Sequence, residues 1–264
     1  MKKVVVIFVL SLIIYSCSKV PVTGRRQLHM LPESTLMGMS LTSYRQFLSE
    51  NKIVTSSEVN AAMVKKVGQK IAAAVELYLR QKKQTKRVKN FKWEFNLVHD
   101  PTVNAWCMPG GKVVVYTGLL PVTQTEAGLA VVMGHEIAHA IARHGNERMS
   151  QGLIVQAGGI GLSVAMSQKP QLTQNIFNQA YGLGSTLGTL GYSRKHESEA
   201  DKIGLIFSAM AGYDPNEAIP FWQRMSKMGG GGAPQLLSTH PSDETRIKDL
   251  KAFMPQAMKY YKKP

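Results

Sequence analysis

The segment His135-Glu136-Ile137-Ala138-His139 holds the densest chemistry in the chain. Histidines four residues apart sit about 40° from one another around an α-helix, so both imidazoles reach one ion. Glu136 is turned about 100° from His135 and cannot comfortably share the coordination sphere, but it reaches a water on the metal. That division of roles suits hydrolysis: the ion acidifies the water and polarises a carbonyl, and the carboxylate takes the proton. A catalytic zinc uses three protein ligands and keeps a fourth position open. The extended form of the motif needs glycine at 142 and histidine at 145, where this chain has Ala142 and Gly145, so the third ligand comes from elsewhere.

The run Tyr192-Ser193-Arg194-Lys195-His196-Glu197-Ser198-Glu199-Ala200-Asp201 supplies it. Glu197 and Asp201 share a helix face, while Glu199 points away and, with Ser198, is expected to face solvent. One of the two carboxylates on the shared face binds zinc. The other, a turn away, accepts from the second nitrogen of a ligand histidine and fixes its tautomer. His144, turned about 140° from His139, is read as structural.

Such a constellation needs helices to space it and a sheet to hold it. Helical spacing runs from Pro32 to about Glu50 and from Ser56 or Ser57 to about Gln81. Phe91–Val98 alternates as a strand does, and Asn104–Met108, the turn Pro109-Gly110-Gly111 and Val113–Tyr116 form a hairpin beside it. The expectation is a small antiparallel sheet of about three strands in an α+β, predominantly helical fold. A capping box at Thr123–Glu126 opens the histidine-bearing helix, which runs to about His144. Further helices are expected near 146–168, 171–190, 194–211, 214–227 and 241–252. Gly152–Met166 reads as a close-packed core helix too short for a membrane span, and Gly229–Gly232 as a flexible loop.

Composition bounds the rest. The chain has 264 residues, 44% hydrophobic and 19% charged, which fits a single globular domain and excludes a disordered one. Lys2 and Lys3 precede an apolar stretch from Val4 to Ile14, the pattern of a signal peptide. It ends in Ile14-Tyr15-Ser16-Cys17, which resembles a bacterial lipobox with Tyr15 departing from the usual residue before the last. The expected organisation is a signal peptide at 1–16, a lipidated tether at 17–32 beginning at Cys17, and a metallopeptidase domain at 33–264. Ser18 lacks the aspartate that retains lipoproteins at the inner membrane, so a periplasm-facing protein is expected, at the outer membrane in preference to the inner. With Cys17 acylated, Cys107 has no partner for an intramolecular disulfide. The net charge is +15, with Arg80, Lys82, Lys83, Lys86, Arg87, Lys89 and Lys92 close together. An anionic bilayer or plain solvation accounts for them, and no nucleic-acid motif accompanies them.

HEIAHAIARHG, then SRKHESEAD followed by IG, then STHPSDETRI, in that order, resemble the HtpX/BepA-like zinc metallopeptidase family, relatives of prenyl-protein proteases and of a mitochondrial quality-control protease. NAWCMPGGKVVVYTGLL is similar to the family's strand before the active-site helix, and VPVTGRRQL to its envelope lipoproteins. The resemblance implies a zincin-like (gluzincin) fold, one zinc held by His135, His139 and Glu197, and Glu136 as catalytic base. It implies endopeptidase activity on misfolded or misassembled envelope proteins. It also implies that His240 lies on a loop over the metal, occupying the fourth position at rest or serving the oxyanion, and that Arg246 supports this loop. An assembly factor holding unfolded strands in the same groove without cutting is the alternative. Either activity takes substrate most generally as an added strand, for which Asn104, Ala105, Trp106, Cys107 and Met108 form the expected edge.

Overall fold

The computed structural model describes residues 17–156, 170–181, 193–228, 236–237, 240 and 244–262. The expected signal peptide, the apolar run beyond Gln156 and the Gly229–Gly232 loop lie outside the described residues.

A two-stranded ribbon, β1 (Cys17–Lys19) and β2 (Arg26–Leu28), leads into helix α1 (Glu33–Glu50) and the longer α2 (Val59–Gln81). Of the apolar face that helical spacing predicts on α2, Val67, Ile71, Val75 and Leu79 are buried and Met63 is half-buried, with the adjacent Val64 fully buried in its place. Strands β3 (Glu94–Val98), β4 (Ala105–Met108) and β5 (Lys112–Tyr116) follow. Then come α3 (Glu126–Ala142), α4 (His144–Gln156), α5 (Pro170–Ala180), α6 (Arg194–Met210), α7 (Ala218–Lys227) and α8 (Glu244–Met258). The fold is α+β and predominantly helical.

The sheet is mixed where an antiparallel one was expected. Its order is β3-β5-β4, with β4 antiparallel to β5 and β3 parallel to it. The central strand is β5, buried throughout and paired on both sides, while β4, equally buried, pairs only with β5 and stands at the edge. The cap of α3 also differs. Thr125, not Thr123, receives the Gly128 N–H on its side chain, because Leu120–Thr123 already forms a separate turn of helix.

Residues 17–32, expected as a tether, are built into the body. Val20 and Leu31 are buried with the core, and Arg25 reaches two buried carboxylates. No helix among the described residues is long and apolar enough to cross a membrane.

Two glycines bring the chemistry together. A Cβ on Gly204 of α6 would lie 2.8 Å from the His135 backbone nitrogen, and one on Gly134 would lie 2.6 Å from Ser208 Oγ and 3.0 Å from the Gly204 carbonyl oxygen. The absence of side chains there lets α3 and α6 cross in direct backbone contact, which puts both motifs on one site.

Candidate metal centre

The α3–α6 crossing brings His135, His139 and Glu197 together, and His240, ahead of α8, joins them: four potential ligand atoms lie within 4.8 Å of one another, all on buried residues. His135 Nε2 is 3.0 Å from His139 Nε2 and 3.2 Å from His240 Nδ1. Glu197 offers Oε2 at 3.3 Å from His135 Nε2, and Oε1 at 3.4 Å from His139 Nε2 and 3.0 Å from His240 Nδ1.

The outer partners fix what each imidazole presents inward. Asp201 Oδ1 lies 2.9 Å from His135 Nδ1, and a carboxylate only accepts, so Nδ1 carries the proton and Nε2 the lone pair. Arg246 Nη2 is also 3.3 Å from that Nδ1, but it is committed to Asp201 Oδ1 at 2.6 Å. Arg246 grips both Asp201 oxygens and stacks its guanidinium 3.3 Å from the centroid of the Trp222 ring. On the other side Glu199 Oε2 is 3.3 Å from His144 Nε2, and His144 Nδ1 is 2.9 Å from His139 Nδ1. By the same logic His144 donates to Glu199 and accepts from His139, leaving a lone pair on His139 Nε2.

Two imidazole lone pairs therefore face each other across 3.0 Å beside a carboxylate. Such an arrangement calls for a cation. The electrostatics favour positive charge at this point: burial disfavours a positive His135, but Glu197 and Asp201 overcome it and raise its pKa to about 9, so in the metal-free ring a proton takes the nitrogen that a metal would use. Burial likewise opposes ionisation of Glu197, yet His240 and His135 hold its pKa well below the usual carboxylate range. Ligand atoms about 2.0–2.2 Å from a tetrahedral zinc stand roughly 3.3–3.6 Å apart, and the donor separations of 3.0 to 3.4 Å lie at or a few tenths of an ångström below that spacing.

Glu136 stands apart. Its Oε1 is buried without a hydrogen-bond partner, 3.5 Å from His240 Nε2. Burial raises its pKa above the ordinary carboxylate value. The pKa of the Cys107 thiol on β4 is pushed up first by burial and then by the charge of Glu136, which favours the neutral thiol.

The structure thus assembles His135, Glu136, His139, Glu197, Asp201, His240 and Arg246 in one place. Asn104–Met108 lies on the edge strand next to α3 and is buried. Glu199, expected in solvent, is 5% exposed and takes Arg25 Nε at 2.6 Å and Thr23 Oγ1 at 2.5 Å. Arg25 also pairs bidentately with Glu147 at 2.7 Å, and His196 Nε2 joins that carboxylate at 3.0 Å. This outer network escapes sequence reasoning because Glu199 does point away from the metal side of α6. Only the docking of α4 and the N-terminal ribbon makes that second side interior. Trp222 was likewise missed, since an apolar residue on a helix signals only core.

A peptidase of the HExxH-plus-glutamate type is the class that this fold and donor set define. The chain belongs to peptidase family M48, whose model matches residues 58–254. It is 33% identical over 242 residues to the mitochondrial metalloendopeptidase OMA1 of Schizosaccharomyces pombe, covering 90% of this chain and 66% of that one. Against the human mitochondrial metalloendopeptidase OMA1 it is 32% identical over 248 residues, covering 90% of this chain and 46% of the relative. The putative beta-barrel assembly-enhancing protease of Vibrio cholerae is 29% identical over 238 residues, with 83% of this chain and 46% of the relative covered. The chain therefore spans about half to two thirds of these relatives.

Proposed function

We propose that the chain is a zinc-dependent metalloendopeptidase of the cell envelope that cleaves unfolded or misassembled proteins. The observation that carries this reading is the separation of two adjacent side chains: His135 joins the ligand cluster, while Glu136 keeps an unpartnered buried oxygen beside it. When bound, zinc supplies Lewis-acid polarisation of a scissile carbonyl and acidification of a water. Glu136 takes the water's proton on Oε1 and passes it to the leaving amine, and its raised pKa brings it closer to what a base at neutral pH needs. Four protein ligands make a closed site of the structural type, so His240 rests in the fourth position and withdraws for substrate to enter.

Substrate joins as a strand at β4. The Tyr116 N–H donates to the Asn104 carbonyl, so Asn104, Trp106 and Met108 bond towards β5 while Ala105 and Cys107 turn their backbone outward. The Ala105 N–H is taken by Asn104 Oδ1, which leaves the Cys107 N–H as the outward donor. In a Cys107→Pro variant that keeps its zinc, KM for unfolded substrate should rise; an unchanged KM removes the edge from the proposal.

Anchoring through an acylated Cys17, facing the periplasm and at the outer membrane in preference to the inner, is supported by the Ile14-Tyr15-Ser16-Cys17 pattern and by relatives named for β-barrel assembly. Mass spectrometry should find the N-terminus at Cys17 carrying acyl mass, and an intact Met1 terminus refutes it. The decisive assay incubates the purified chain with unfolded casein, with chelator and with restored zinc, beside Glu136→Gln. Cleavage should require zinc and Glu136. The relatives' assembly-enhancing names favour a second reading, an assembly factor that holds chains without cutting; an unimpaired biological effect in Glu136→Gln would select it.

A further inference from the structure

We infer that the basic turn after α2 is a docking surface for an anionic phospholipid bilayer, set beside the chain's own membrane anchor so that the peptidase body lies on the membrane in one orientation. The inference rests on the proposed anchoring near Cys17.

Arg80, Lys82, Lys83, Lys86, Lys89 and Lys92 are all exposed, and no acidic residue interrupts 80–92. The flanking carboxylates are engaged elsewhere: Glu76 accepts from Trp93 Nε1 at 3.0 Å, and Glu94 pairs with Lys112. The turn is a built feature. Lys83 takes the left-handed conformation, φ 56°, and the Gln84 N–H closes back on the Leu79 carbonyl at 2.7 Å. That position favours glycine, and a lysine occupies it at a conformational cost.

Arg87 behaves differently from its neighbours and locates the patch. Its guanidinium turns inward and donates to the Lys19 carbonyl at 2.6 Å and to the Ile141 carbonyl at 2.8 Å. Lys19 closes the strand that begins at Cys17, and Ile141 lies in the last turn of the helix carrying His135 and His139. One side chain therefore pins the basic turn to the point where the anchor enters the body and to the active-site helix. Two extended residues span about 7 Å, within the Debye length of about 8 Å at physiological salt, so a bilayer holding residue 17 lies within electrostatic reach of the patch. The exposed Lys19 adds to it. An acyl anchor alone leaves the body free to reorient, whereas a second, polybasic contact does not.

The test reconstitutes the full chain into vesicles of phosphatidylcholine alone or with phosphatidylglycerol and measures acylation of each lysine by a water-soluble reagent. Lys82, Lys83, Lys86, Lys89 and Lys92 should be protected about threefold or more by the anionic vesicles alone, and released at about 0.5 M salt, where the Debye length is about 4 Å. The exposed Lys65 and Lys227 should not change. A Lys82→Glu/Lys83→Glu/Lys86→Glu variant should still co-float and still cleave casein in detergent, but lose protection at Lys89 and Lys92. A chain that does not co-float with either vesicle overturns the anchor reading. A chain that co-floats yet shows equal reactivity on both vesicles overturns the docking surface and leaves an acidic protein or plain solvation as the partner of the turn.

Discussion

His144 Nδ1 lies 2.9 Å from Nδ1 of His139, so a residue outside the donor cluster sets the tautomer of a residue within it. Behind it Glu199 and Arg25 complete a line of hydrogen bonds from the N-terminal ribbon to the metal site. Breaking that line at His144→Ala or Glu199→Gln should weaken zinc binding about 10–100-fold while leaving all donor atoms in place. Competition with a chelator of known affinity measures this, and wild-type affinity in both variants refutes the role given to His144.

The ligands and the base should separate cleanly on metal analysis. His135→Ala, His139→Ala and Glu197→Ala each lose most of their zinc, whereas Glu136→Gln retains it and loses casein cleavage, because its carboxylate serves the water. Full zinc in Glu197→Ala would reject Glu197 as third ligand.

His240→Ala should keep zinc, since His135, His139 and Glu197 remain, and should raise kcat/KM on unfolded casein by freeing the fourth position. A fall in kcat without a change in KM would show instead that His240 serves the oxyanion.

Gly204→Ala tests the helix crossing. Its Cβ would meet the His135 backbone nitrogen at 2.8 Å, which forces α3 and α6 apart at a cost of about 1–3 kcal/mol. Urea unfolding should show that loss together with weaker zinc binding, because His135 and Glu197 sit on opposite sides of the displaced contact.

Strong acid should weaken the outer network. Burial alone would raise the pKa of Glu147, but hydrogen bonds from Arg25 and His196 hold it down at about 2. Burial also opposes ionisation of Glu199, and His144, Thr23 and Arg25 hold it at about 2. An unfolded glutamate titrates near about 4.3, so this stabilisation is complete above that pH and is lost as pH falls towards about 2. The urea midpoint should decline across that window, and less steeply in Glu147→Gln. Arg25→Ala removes the cation that two buried carboxylates share, leaving Glu147 with His196 and Glu199 with His144 and Thr23, and should cost about 3 kcal/mol at neutral pH.

What the sequence determined by itself was everything carried by periodicity within one helix. The spacing of His135, Glu136 and His139, and of Glu197 and Asp201, follows from the helical turn, so these residues were candidates before any fold was known, while helix geometry alone left open which of Glu197 and Asp201 joins the histidines. Strands β3, β4 and β5 and the helices that bear the site were legible for the same reason, since alternation and helical spacing are local, whereas the β1–β2 ribbon within 17–32 was not. Tertiary structure decided what lies between elements. Whether β3 runs with or against β5 is a pairing between strands that β4 separates in sequence, and alternation within either strand does not specify it. Whether Glu199 meets water or His144 depends on what docks against the far side of α6. Whether residues 17–32 hang free or hold Arg25 between two carboxylates depends on partners more than a hundred residues away in sequence. A helix face announces its polarity locally, but its neighbour is chosen by the packing of the whole chain, and glycines such as Gly134 and Gly204 reveal their purpose only once the helices cross.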